Sequence, residues 1–218
     1  MKPILVLILF ISFISNSLSQ HRGKTSNLIY GIEIQYSYFQ QTSKTLNTFL
    51  TTNYDHPITD YRLVGINFKY IMNWNRKKYH DFNMNFDYVL PTNYTSNSST
   101  RSFSINGYQW GMMILGNDLL HKKKKIDLII GTGFNAGKFN LHQDNETTTL
   151  DFSNKFFAPK ITSEFRLIFG KMCAGIRAEY QYDLSNKNWN SNSNESLPST
   201  KFTGAKLQVF VGFGKVSR

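Results

Sequence analysis

The sequence predicts an all-β protein, an eight-stranded antiparallel up-and-down transmembrane β-barrel. Three observations lead there. Eight segments alternate apolar and polar residues with period two, the geometry in which successive side chains point to opposite faces of a strand. The connections between them alternate long and short, as in a barrel with one elaborated rim. Aromatic residues, with 18 Phe and 12 Tyr in 218 residues, gather near the ends of these segments, while charges of both signs occupy mid-segment on the opposite parity.

The first segment, Asn27–Phe39, is the clearest: Leu28, Tyr30, Ile32, Ile34, Tyr36 and Tyr38 share one face, and Glu33, Gln35 and Ser37 lie on the other. Tyr61–Met72 sets Val64, Ile66, Phe68 and Tyr70 against Gly65, Asn67 and Lys69. Tyr79–Leu90 sets Phe82, Met84, Phe86 and Tyr88 against Asp81, Asn83, Asn85 and Asp87. Ser102–Leu115 is less regular, because Phe103 and Ile105 fall on the parity opposite to Tyr108, Trp110, Met112 and Ile114. A bulge near Asn106-Gly107 would reconcile its halves. Ile126–Lys138, Phe157–Phe169, Met172–Leu184 and Thr200–Gly214 complete the set, with Leu128, Phe165, Ile176 and Val209 on the apolar parity. The glycines Gly131, Gly133 and Gly137 share the polar face, where they leave room for bulky neighbours.

The connections Gln40–Asp60, Pro91–Arg101, Phe139–Phe156 and Ser185–Ser199 are long and rich in Asn, Ser and Thr; Asn73–Lys78, Gly116–Lys125 and Gly170-Lys171 are short. The short ones carry Arg76, Lys77, Lys78, Lys122, Lys123, Lys124, Lys125 and Lys171, so one end of the barrel is expected to be a strongly basic rim. With an even strand count and export from the inner side, that rim faces the periplasm. It suits anionic phospholipid headgroups or an acidic protein partner.

Two barrels fit such alternation, and they differ in which parity is inside. A soluble, lipocalin-like barrel fills its interior with the apolar face, whereas a membrane barrel turns that face to lipid. Strands of about a dozen residues match the roughly 9–11 needed to cross a bilayer with tilt. Tyr and Trp near strand ends match interfacial girdles. Charges of both signs on the polar parity suit a crowded lumen in which they must pair. The expected lumen network is Glu33, Lys69, Asp87, Glu164, Arg166, Arg177, Glu179 and Lys206. Eight strands enclose an interior that side chains fill, so no open channel is expected.

The N-terminus reads as a secretory signal. Met1-Lys2-Pro3 is a short basic start, Ile4 to Ile14 is apolar apart from Ser12, and Ser17-Leu18-Ser19 offers small residues for cleavage before Gln20. The expected organisation is therefore a signal peptide over residues 1–19 and one barrel domain over 20–218, placed in the outer membrane. A single cysteine, Cys173, excludes a disulfide scaffold and any cysteine-built metal centre, and it is expected as a small buried side chain. The net charge of +11 does not point to nucleic acid in an exported barrel.

From Asn27 to Gly214 the chain resembles the small outer-membrane β-barrel proteins of the OmpA and OmpX type, and in particular the beta-barrel domain proteins of Bacteroidota, some of them PorT-like. The likeness rests on the eight alternating segments, the rhythm of turns and loops, and endings such as Phe165-Arg166-Leu167-Ile168-Phe169-Gly170 and Val209-Phe210-Val211-Gly212-Phe213-Gly214. It departs at Lys215-Val216-Ser217-Arg218, which stand after the last aromatic residue. The resemblance implies an envelope barrel that works as a structural or interaction protein, or as an accessory subunit of a secretion or transport machine.

No catalytic constellation emerges. A lipid hydrolase needs a nucleophile, a base and an orienting acid at one depth. His80 lies at the short-turn end with outward parity, His56 and His142 fall in long connections beside Asp55 and Asp144, and His21 and His121 flank basic segments. The sequence therefore predicts no enzyme activity, no cofactor and no metal, with lipid modification as the remaining enzymatic alternative. Membrane lipid is the expected partner, with an envelope protein as a further one. If both termini are periplasmic, a cysteine placed at Asn145 or Asn192 will react with an impermeant thiol reagent on whole cells and one at Asn75 will not; labelling at Asn75 alone would reverse the orientation.

Overall fold

A computed structural model of the chain describes residues 29–41, 44–54, 57–58, 60–75, 78–95, 102–118, 126–145, 148–169, 171–185, 188–191 and 197–214. The expected signal peptide lies outside these residues, as do Arg76, Lys77, Lys122 to Lys125, His21, His56 and His121, and the side chains of Lys78 and His80. The elements run β1 (Ile29–Gln41), α1 (Lys44–Tyr54), β2 (Asp60–Asn75), β3 (Lys78–Thr95), β4 (Ser102–Asp118), β5 (Ile126–Asn145), β6 (Thr148–Phe169), β7 (Met172–Gln181), β8 (Asn190–Ser191) and β9 (Gly204–Gly214). Every pairing is antiparallel. Each of β1 to β7 pairs with its sequence neighbour, and β9 lies between β1 and β7, so eight strands close the barrel. The two-residue β8 lies against β6 at Phe152 and Ser153.

The lower part of the barrel wears its apolar residues outside. Ile34 is 66% exposed, Ile161 62% and Phe213 61%, within a continuous belt that includes Ile32, Val64, Phe86, Ile176 and Val209. Each such side chain gains about 1.5–3 kcal/mol on leaving water, so a belt of this extent is the surface of a membrane-spanning barrel and not of a soluble one. The upper edge of the belt is aromatic, with Tyr38, Tyr88, Tyr108, Tyr180 and Tyr182 exposed.

Above that edge the polarity inverts. In β5 the outward positions below are Ile130, Thr132, Phe134 and Ala136, and above them Lys138, Asn140, His142 and Asp144; the inward positions change from Gly131, Gly133 and Asn135 to Phe139 and Leu141. In β6 the outward Phe157 and Ile161 give way upward to Lys155, Ser153 and Asp151, while Phe156, Phe152 and Leu150 turn inward. A strand that is apolar-out in one half and apolar-in in the other is leaving lipid for water. The inward residues form one core: Phe39, Tyr61, Leu63, Val89, Phe103, Ile105, Phe139 and Phe156 from the wall, with Leu46 and Leu50 of α1, Trp189 and Phe202 closing over them. Phe139 and Phe202 stack at 4.2 Å, and Tyr61 meets Phe139 across the interior at 5.0 Å.

This inversion corrects two expectations. Phe139–Phe156 is not a long loop: β5 and β6 stay paired from Phe139↔Asn154 up to Asn145↔Thr148. The parity of Phe103 and Ile105 needs no bulge at Asn106-Gly107, because β4 runs unbroken against β5 there and both residues face the upper core. The bulge is one strand away, where Leu90 and Pro91 of β3 stand opposite the single Asn106. Proline has no N–H for the ladder, so a bulge is where a strand tolerates it. The extra residue also turns Tyr94 inward, to stack on Phe103 at 4.8 Å.

Arginine at Ile176, in the middle of the belt, should cost about 2–4 kcal/mol of folding stability in lipid vesicles, whereas Gln40→Arg, outward on β1 above the girdle, should cost about 0–1 kcal/mol. Denaturant titration of the refolded variants checks this, and equal tolerance would contradict a lipid-facing belt.

Candidate functional site in the barrel lumen

Below the apolar core the same inward positions carry charge. All eight residues expected in the lumen network are buried there: Glu33, Lys69, Asp87, Glu164, Arg166, Arg177, Glu179 and Lys206. They are held in two ion clusters. In the first, Arg177 of β7 places Nη2 2.8 Å from Glu33 Oε2 of β1 and 2.7 Å from Glu164 Oε2 of β6. Lys69 of β2 pairs with Glu33 and sits 3.1 Å from Glu164 Oε1, and Arg166 Nε donates to Glu164 Oε1 at 2.8 Å. In the second, Lys206 of β9 lies 2.9 Å from Glu179 Oε2 and 3.4 Å from Asp87 Oδ2, and Lys160 is 3.1 Å from Glu179 Oε1.

Gln35 joins the clusters. Its Oε1 accepts from Arg177 Nη1 at 2.9 Å and its Nε2 donates to Asp87 at 2.5 Å. Asp87 also accepts from Gln109 at 2.8 Å and Asn85 at 3.1 Å, and Glu33 accepts from Asn67 at 2.7 Å. These amides supply the additional hydrogen bonds that buried ion pairs need to offset their desolvation. Among the described residues the ion-paired lumen groups are Lys69, Lys160, Arg166, Arg177 and Lys206 against Glu33, Asp87, Asp127, Glu164 and Glu179, which balance.

Close packing places these groups. Arg177 stands over the Phe210 ring at 4.9 Å, and that ring lies where β7 has glycine: a Cβ on Gly175 would come within 2.5 Å of Phe210 Cζ. On the far wall a Cβ on Gly65 would fall 2.0 Å from Asp87 Oδ1. The glycines of β5 act likewise, for a Cβ on Gly137 would meet Phe156 Cε1 at 2.8 Å.

Lys160 and Asp127 also belong to the network, beyond the eight residues expected there. Parity already turns Lys160 inward with Thr162 and Glu164, and the register puts Asp127 directly opposite Arg166, 3.5 Å away. Arg166 and Arg177 both pair with Glu164, while Glu179 is taken by two lysines instead of an arginine. Cys173 is half-buried rather than enclosed, 3.9 Å from Glu33 Oε1. Of the expected basic rim, Lys171 is described, exposed in the β6–β7 turn. His142 pairs with Asp151 across the β5–β6 ladder, not with Asp144, which accepts from Thr149 at 2.9 Å. Among the described residues no group of three or more His, Cys, Asp or Glu side chains is placed to hold a metal ion. What this arrangement does chemically is bind one wall of the barrel to the others.

No protein-family model matches the sequence, and neither does any curated protein. Solved structures do share the fold. A major outer membrane protein from Thermus thermophilus is similar with a TM-score of 0.57 at 6% identity, over 86% of this chain and 99% of that one. Ail, the attachment invasion locus protein of Yersinia pestis, solved in complex with the heparin analogue sucrose octasulfate, is similar with a TM-score of 0.51 at 13% identity, over 86% and 99%.

Glu164 touches three cations, so Glu164→Gln strands buried charge and should cost about 3–5 kcal/mol. Asp127→Asn, at the edge of the network, more exposed than Glu164 and 3.5 Å from Arg166, should cost about 1 kcal/mol or less. Urea unfolding of both variants from vesicles measures the difference, and equal small losses would mean that the network contributes little.

Proposed function

We propose that this chain is a non-enzymatic outer-membrane barrel whose lumen is closed and whose work is done at its long-loop end, as a structural or surface-interaction protein. One observation carries the reading: the interior is crossed by side chains at two levels, ion pairs below and packed aromatic rings above. Lys69 reaches from β2 to β6, Lys206 from β9 to β3, and Tyr61 meets Phe139 over them. Among the described residues these crossings occupy the lumen, which speaks against a solute path and moves function to the outside. There the chain invests in structure. The β3–β4 and β5–β6 hairpins, α1 and β8 raise an ordered platform above the belt. Ail, which shares the fold, is by name an attachment protein, and this reading gives work of that kind to the platform.

The proposed orientation puts the platform outside the cell and the short turns in the periplasm, after removal of residues 1–19. The basic residues of those turns would then meet anionic headgroups or an acidic envelope partner, the setting of an accessory subunit. Planar-bilayer recording of the refolded protein tests the central reading. The expected result is no stable conductance; large, ohmic, long-lived openings would overturn the closed lumen and return transport as the function.

A further inference from the structure

The outward face of β4, β5 and β6 carries an arrangement that the lumen does not explain. Where the belt ends, Tyr108, Lys138 and Lys155 stand side by side in one cross-strand row. Lys138 and Lys155 are directly opposite, which sets their Cβ atoms about 4.5–5.5 Å apart, and like charges so placed repel. Among the described residues neither lysine has a carboxylate in salt-bridge range. The row above is neutral, with Asn140 Nδ2 donating to Asn106 Oδ1 at 3.0 Å beside Ser153. The nearest acid on these outward faces, Asp151, is one further row up and already engaged by His142.

The row below completes the pattern. Ala136 lies between Trp110 and Phe157, a methyl group flanked by two large rings. Phe134 forms the floor beneath them, 5.6 Å from Trp110 and 5.3 Å from Phe157 between ring centroids. Trp110 and Phe157 are both exposed, at 38% and 39%. The surface is thus an apolar notch in the belt, headed at the water boundary by a phenol and two ammonium groups that no described carboxylate pairs.

From this we infer that the notch is a binding site for a lipid carrying a phosphomonoester headgroup, in the bilayer leaflet at the long-loop end. The dianionic phosphate sits between Lys138 and Lys155, cancelling their repulsion and accepting from Tyr108, while an acyl chain lies over Ala136 between Trp110 and Phe157. Charge complementarity names the headgroup, and the notch running down into the hydrocarbon requires that it be attached to a chain. The inference rests on the membrane placement of the barrel, which insertion itself reads separately.

The test uses the refolded chain in phosphatidylcholine nanodiscs doped with phosphatidic acid, with bound lipid counted by native mass spectrometry. Wild type should retain one phosphatidic acid in preference to phosphatidylcholine. Lys138→Gln with Lys155→Gln should weaken retention roughly thirtyfold, the scale for losing two basic groups at an anionic headgroup. That double variant loses a like-charge pair, so it should fold in pure phosphatidylcholine at least as stably as wild type. Lys201→Gln, a basic residue outside this row, should leave retention unchanged. Ala136→Trp, which fills the notch, should weaken retention of the lipid. Unchanged retention by the double variant would overturn the site, as would displacement of the lipid by inorganic phosphate at equal concentration, which would mark a free-anion site. Failure of wild type to insert would instead overturn the membrane placement, and this inference with it.

Discussion

Arg177 is the side chain on which the interior turns. It is the largest fully buried side chain among the described residues, and from β7 its guanidinium meets carboxylates on β1 and β6 and the amide of Gln35. Leaving a guanidinium of this kind unpaired away from water costs several kcal/mol, so the positions of Glu33, Glu164 and Gln35 are constrained together, and with them the angular positions of three strands. Lys69 is then held by the same two carboxylates and Arg166 by Glu164, and Gln35 carries the constraint on to Asp87, Lys206 and Glu179. Coulomb attraction specifies the lower half of the barrel. Hydrophobic packing around Phe139 and Phe202 specifies the upper half.

The two halves answer to different solvents. Where the outside is hydrocarbon, an apolar interior would give the strand no polarity difference to fix its facing, and the polar parity has nowhere to go but inward. Where the outside is water, the ordinary soluble rule returns and Phe139, Leu141, Leu150 and Phe152 fill the interior. The crossover, near Ala136 on β5 and Phe157 on β6, therefore marks the edge of the bilayer, and the exposed Tyr and Trp rings and the Lys138–Lys155 pair stand at that level.

The membrane half was legible in the sequence because period-two contrast is strongest there: Ile32, Glu33, Ile34 and Gln35 state their faces residue by residue. The upper half was not, since its outward residues are Asn, Ser and Thr, the composition of loops. The same parity rule runs there with the opposite sign, so Phe103 and Ile105 looked like a register error when they were the start of the water-side core. Helix α1 was invisible for a related reason. Its Thr-rich sequence has weak helix propensity, and it is placed by the burial of Leu46 and Leu50 over the barrel mouth. Parity also told which charges lie inside, but not their partners. Lys69 and Glu164 are 95 positions apart and meet only because strand tilt brings β2 and β6 to the same depth across the lumen, a distance that no local pattern encodes.

The claim that buried ion pairs hold the walls together is tested most directly by a double-mutant cycle between Glu164 and Arg177. Glu164→Gln, Arg177→Met and the double variant would each be unfolded by urea from the same vesicles. The account predicts a coupling energy of about 1–3 kcal/mol, with the double variant far less destabilised than the two single losses added. Additivity within about 0.3 kcal/mol would mean that the two residues do not act on one another, and the network would be a filling of the lumen and not its fastening.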